Sequence, residues 1–178
     1  MKLELLHQPD SAIAKIHMDP QEEILAEAGA MVAMSSHINV NTTLRKGKGG
    51  GIMGGLKRIV AGESLFLSTF RSGNQPAELY LSPTLLGDIL PYTMKGQELV
   101  IQSSSYMAST PGVQVDLGFT GFKSLFSGES LFWLTANGSG VIILNAFGSV
   151  YEVDVDGDYM VDTGHIEAFE RSLDYSIT

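Results

Sequence analysis

Gly49-Gly50-Gly51-Ile52-Met53-Gly54 fits the pattern Gly-x-Gly-x-x-Gly, with Lys57 and Arg58 close behind it. Loop amides backed by two cations can bind an anion. In a βαβ unit the same pattern cradles a pyrophosphate at a helix N-terminus, and a long crossover helix must follow. Here Leu56, Ile59 and Val60 allow one or two helical turns before Gly62 stops them. The Walker pattern fails too, because the lysine does not directly follow the second glycine. A glycine-rich hairpin loop is the plainer reading. Of the four histidines, His7, His17, His37 and His165, no two have a metal-binding spacing. His165, beside Glu167, could work in acid-base chemistry or as a single ligand; the competing role is a histidine hydrogen-bonded at a strand end.

Other constellations are less complete. Glu152-Val153-Asp154-Val155-Asp156-Gly157 matches the first half of a calcium loop, but the position of the bidentate glutamate is Thr163. A strand with an acidic solvent face explains the same alternation. Ser64 and Ser130 lack the nucleophile-elbow pattern, so nucleophilic catalysis has no support. Gly62-Glu63 and Gly128-Glu129 each precede Ser-Leu-Phe, where a glutamate can accept backbone amides or pair with Lys57 or Lys123 and lock a turn. No catalytic residue, metal site or cofactor is expected.

Those last residues belong to an internal repeat. Gly55, Lys57, Gly62, Glu63, Ser64, Leu65 and Phe66 recur as Gly121, Lys123, Gly128, Glu129, Ser130, Leu131 and Phe132, each 66 positions later. A shorter element, residues 29–34, 104–109 and 164–169, shares an alanine at Ala33, Ala108 and Ala168 and alternates with the glycine motif. The chain thus reads as one domain, residues 1–178, with modules at approximately 20–82 and 95–147 and a partial copy at 148–178. The partial copy would leave an unpaired sheet edge, which either further chain or a neighbouring subunit must cover.

Period-2 alternation supplies the strands. It marks Ile38 to Leu44, Ala77 to Leu81, Val113 to Leu117 and Tyr151 to Val155. Short apolar runs at 12–18, 23–34, 63–70 and 97–102 add more, and Phe66 and Phe70 oppose Leu65 and Leu67 across a strand covered on both faces. Asn137-Gly138-Ser139-Gly140 predicts a hairpin turn between strands 131–135 and 141–144. No long helix is expected.

Twenty acidic and 11 basic residues leave a net charge of −9, which disfavours nucleic acid and anionic lipid. Trp133, Phe66 and Phe132 suit a core better than a base-stacking platform. Basic residues Arg45 to Arg58 and acidic residues Glu152 to Asp174 are separated along the chain, and these ends would attract if they met across subunits. There is no cysteine, hence no disulfide and no thiolate metal site. The first ten residues do not form a secretion signal, and no stretch has the roughly 20 apolar residues a spanning helix needs, so a soluble cytoplasmic protein without stable membrane insertion is expected.

Residues 27–34, then 54–58 through 61–66, then 161–166, resemble the altered-inheritance-of-mitochondria protein 24 family, a bacterial domain of unknown function. The resemblance runs from about residue 10 onward. It implies three pseudo-symmetric β-modules related to the trp RNA-binding attenuation protein, often trimeric assembly, and no established enzyme activity. Family chains usually carry a third glycine motif after the segment like Ser172 to Thr178, and truncation explains its absence. The resulting expectation is an all-β fold of pseudo-threefold antiparallel modules, β-prism or double-stranded β-helix-like, the third incomplete. Functionally it is a non-enzymatic scaffold or binding domain, a homo-oligomer with the trimer favoured. The alternative is a small-molecule or anion binder, or an enzyme, using Gly49, Gly50, Gly51, Lys57, Arg58 and His165.

Overall fold

The computed structural model describes residues 1–45, 65–117 and 133–176. Thirteen strands follow in chain order: β1 (Lys2–Leu6), β2 (Ile13–Met18), β3 (Glu23–Glu27), β4 (Met31–Met34), β5 (Asn39–Arg45), β6 (Leu65–Arg71), β7 (Ala77–Leu81), β8 (Gly87–Lys95), β9 (Leu99–Gln102), β10 (Tyr106–Ser109), β11 (Val113–Leu117), β12 (Trp133–Phe147) and β13 (Ala168–Glu170). Two one-turn 3-10 helices, Ser103–Ser105 and Thr163–His165, precede β10 and β13, and there is no α-helix among the described residues. Each ladder between named strands is antiparallel. One sheet runs β1-β2-β7-β4; the other runs β13-β9-β12-β10-β3-β6-β5, with β11 and β8 also on β12.

Pairing in the first half of the chain recurs in the second. β7 lies between β2 and β4, as the C-terminal half of β12 lies between β8 and β10. β6 lies between β3 and β5, as the N-terminal half of β12 lies between β9 and β11. Even the irregularities match: the register shifts between Met31 and Ala33 in β4 and between Tyr106 and Ala108 in β10. Such bulges re-aim side chains at defined positions in a strand.

The expected hairpin at 137–140 is not there. β12 is continuous through those residues and crosses from one set of partners to the other. Gly138 and Gly140, at φ +106° and +147°, permit this because they pass close to β11 and its approach: a Cβ on Gly140 would lie 2.2 Å from Thr110 Oγ1. Glycines inside a strand therefore mark a bend and close approach, not a reversal. The first half makes the same crossing with two strands, β6 and β7, joined by residues 72–76.

The alternation in Tyr151 to Val155 also forms no strand; residues 149–162 are irregular and, apart from the half-buried Val150, exposed. A period-2 pattern needs a partner strand before it can pair. β5 forms as expected but its face is not half-buried, since Val40 is 43% exposed. β8 escapes the sequence reading because Pro91 sits within it. Its only partner among the named strands is β12, and an edge strand tolerates a residue that cannot donate to a ladder.

Two apolar clusters fill the interior. Ile16, Met18, Ile24, Phe70, Leu79, Leu81, Met107 and Ile143 make one; Leu67, Met94, Ile101, Tyr106, Leu134, Ile142 and Leu144 make the other. β6 contributes Phe70 to the first and Leu67 to the second, so it is covered on both faces. A smaller cluster holds Val100 and Trp133 under Ile166 and Phe169, which seats β13.

Candidate functional site

Nine of the residues singled out in the sequence, Gly49, Gly50, Gly51, Lys57, Arg58, Gly62, Glu63, Gly128 and Glu129, lie outside the described residues. His165 ends the second 3-10 turn, with its side chain 82% exposed. Its Nδ1 is 3.4 Å from Asp162 Oδ1, which also accepts the Gly164 amide at 3.0 Å. These contacts, the amide foremost, hold the Asp162 carboxyl below its usual range. His165 also donates its own backbone N–H to the Asp162 carbonyl. The neighbouring Glu167 carboxylate accepts from the Ser105 hydroxyl, and its carbonyl accepts the Gln102 amide at 2.8 Å. Both residues thus take part in fixing the turn that delivers β13. Among the described residues, no three His, Cys, Asp or Glu side chains converge to hold a metal ion.

A cavity of about 280 Å³ opens between β1, β2 and β3 on one side and β8 and β12 on the other. Leu3, Ile16, Ile24, Pro91, Val141 and Ile143 supply its apolar wall. Thr110, also on the wall, spends its hydroxyl on the Val141 amide at 3.0 Å. No ionisable side chain lines it, and neither does His165; Met1 does line it, with its ammonium paired to Asp19 and Glu22. A wall of this kind favours an apolar group over an anion.

On the outer face of the first sheet, Lys15 Nζ lies 2.9 Å from Glu78 Oε1 and 5.4 Å from the centre of the Tyr80 ring. Tyr80 donates its hydroxyl to Glu78, and His17 lies 3.4 Å from both Glu4 and Glu78. Pairing with Lys15, and then the Tyr80 hydrogen bond, push the Glu78 carboxyl down, while Glu78 raises the Lys15 ammonium. This cross-strand ladder ties β1, β2 and β7 together.

The least complete part of the fold is β4. Among the described residues it ends its sheet and pairs with β7 alone, through Ala33 opposite Tyr80 and Met34 opposite Leu79. Val32 is 58% exposed. Its counterpart β10 is paired on both sides, by β12 and β3, and all four of its residues are buried. The difference comes from the neighbours, not from the strand. Residues 151–162 form a second stretch outside any strand ladder, with Tyr151, Tyr159 and Met160 exposed, Met160 by 83%. Sequence reasoning expected an open edge at the partial third module and did not place one at β4. The signal was available in the matching of Ala33 with Ala108, because a strand that needs two partners in one copy needs two in the other.

Fold and surface together define an antiparallel all-β domain in which, among the described residues, one strand edge is unfilled. The model of the Mitochondrial biogenesis AIM24 family matches residues 3–178, and the chain belongs to that family. It is 29% identical over 172 residues to the uncharacterized protein M6_Spy0233 of Streptococcus pyogenes serotype M6, spanning 93% of this chain and 68% of that protein. The crystal structure of protein SPYM3_0169 from Streptococcus pyogenes superposes with a TM-score of 0.73 at 22% identity, over 98% of this chain and 78% of that one. Likeness at that identity carries the fold. No helix among the described residues is long and apolar enough to cross a membrane.

Proposed function

We propose that the chain is a non-enzymatic scaffold or binding domain that assembles with its own kind, three subunits being the favoured number. The observation that supports this is the free edge of β4, apolar and uncharged from Met31 to Met34. An open strand edge is a template for another strand, and natural proteins either blunt it or use it. This edge is short and carries the bulge between Met31 and Ala33, but no charge or proline guards it. In this reading residues 148–178 act as a third copy of the repeated module. The net charge of −9 weighs against RNA as a partner.

Light scattering and native mass spectrometry of the purified chain test the reading. A mass three times the 19.1 kDa of the chain is expected. A monomer at tens of micromolar concentration, on the order of the weak limit for specific self-association, would overturn it. The cavity favours a second reading, retention of a small apolar molecule, and the same spectra would report that as a mass increment on each subunit.

A further inference from the structure

We infer that the free edge of β4 is filled by residues 159–161 of a second copy of this chain, antiparallel, with Ala33 opposite Val161. The inference rests on the self-assembly reading and names the surfaces that would carry it.

The register comes from the two junctions already formed. β3 pairs with β10 so that Ala26 faces Ala108. β9 pairs with β13 so that Ile101 faces Ala168. In each case a strand is followed, seven residues on, by the short strand of its own module: Ala26 leads to Ala33, and Ile101 leads to Ala108. Counting seven back from Ala168 reaches Val161. The turn between is built alike, since Ala30 donates its amide to Glu27 O as His165 does to Asp162 O. Residues 159–161 therefore stand where Ile24 to Ala26 and Leu99 to Ile101 stand in their modules. In those modules the equivalent strands are buried and paired on both sides. Here the strand has no ladder at all.

β4 is the one short strand of the three whose outer edge lacks the partner that β10 and β13 have. Donor and acceptor are thus complementary by register. Within one chain the donor is anchored at both ends, by Gly148 bridged to Gly87 and by β13 on β9, and it is exposed and forms no ladder. Among the described residues both halves are unfilled, and a head-to-tail contact would fill both. Main-chain hydrogen bonds would supply the affinity, and Tyr159, Met160 and Val161 against Met31, Val32 and Met34 the apolar contact. Head-to-tail contacts close into a ring when the rotation allows, which agrees with three subunits.

The absence of cysteine makes the test clean. Ala33→Cys chains are mixed with Val161→Cys chains and oxidised, then run on a non-reducing gel. Directly opposed residues lie within disulfide reach and residues displaced by two do not, so the mixed dimer should exceed that from Ala33→Cys with Tyr159→Cys by about tenfold. All three sites are exposed, so folding is not at risk. Scattering then reads whether Val161→Lys lowers the mass to that of one chain, as expected. A bridge closed within a single Ala33→Cys/Val161→Cys chain would overturn the proposal, because the donor would belong to the same copy. An oligomer that survives Val161→Lys and cross-links in no register would overturn it while leaving self-assembly standing. A wild-type monomer would remove both.

Discussion

Gly112 and Gly138 cross with room for a side chain on neither. A Cβ on Gly138 would lie 2.2 Å from the Gly112 carbonyl oxygen, and one on Gly112 would lie 2.2 Å from the Ser139 carbonyl oxygen. Gly138 in addition has φ +106°. Gly138→Ala should therefore cost about 3 kcal/mol or more, as a backbone clash added to a strained dihedral. Gly148→Ala, at φ +79° in open space, should cost only about 1–2 kcal/mol. Urea unfolding of both variants gives the comparison, and equal losses would mean that the crossing at Gly138 relaxes freely.

The same glycines show where the sequence was legible. Alternation identified β7 and β11 residue by residue, because each buries one face and the pattern records that burial directly. Gly138-Ser139-Gly140 was misread because a glycine pair permits both a turn and a close crossing; which one occurs depends on what lies opposite. Tyr151 to Val155 carries the alternation of a strand with nothing to pair against. For the candidate site the limit is similar. Met31 to Met34 are as apolar as the residues of β10, and their exposure follows from a missing neighbour that composition does not encode.

β6 separates the two cores, with Phe70 buried in one and Leu67 in the other. Phe70→Ala should cost about 3–5 kcal/mol and Leu67→Ala about 2–5 kcal/mol. The side chains are three residues apart along a strand and on opposite faces, about 10 Å of rise. Their double-mutant cycle should couple by less than about 0.5 kcal/mol. Stronger coupling would mean that the clusters respond as one.

The Lys15–Glu78 pair predicts a pH dependence. The folded Glu78 carboxyl is depressed, so its contribution is present above the ordinary glutamate value and fades as pH falls through the folded value. Lys15 is raised, so its contribution is present below the ordinary lysine value and is lost only in strong alkali. The Tm difference between wild type and Glu78→Gln should therefore be greatest near neutrality and shrink below the ordinary glutamate range. Added salt should shrink it too, since the pair is partly exposed. A difference that persists through acid unfolding would assign the effect to the Tyr80 hydrogen bond rather than to charge.

Trp133 reports on the docking of β13. It is the single tryptophan and lies buried, edge-on to Phe169 with ring centroids 6.0 Å apart; Phe169 in turn meets Tyr175 at 5.7 Å. β13 itself is three residues long and pairs with β9, held further by Glu170, which accepts the Tyr92 hydroxyl at 2.8 Å. So short a ladder depends on side-chain packing, and each aromatic contact adds about 0.5–1.5 kcal/mol beyond area. Phe169→Ala should release the strand, let water reach the indole, shift Trp133 emission to the red and raise its quenching by acrylamide. Phe169→Leu should restore most of the shielding, because apolar volume returns without the ring. Unchanged emission in Phe169→Ala would show that β9 and β12 shield Trp133 without β13.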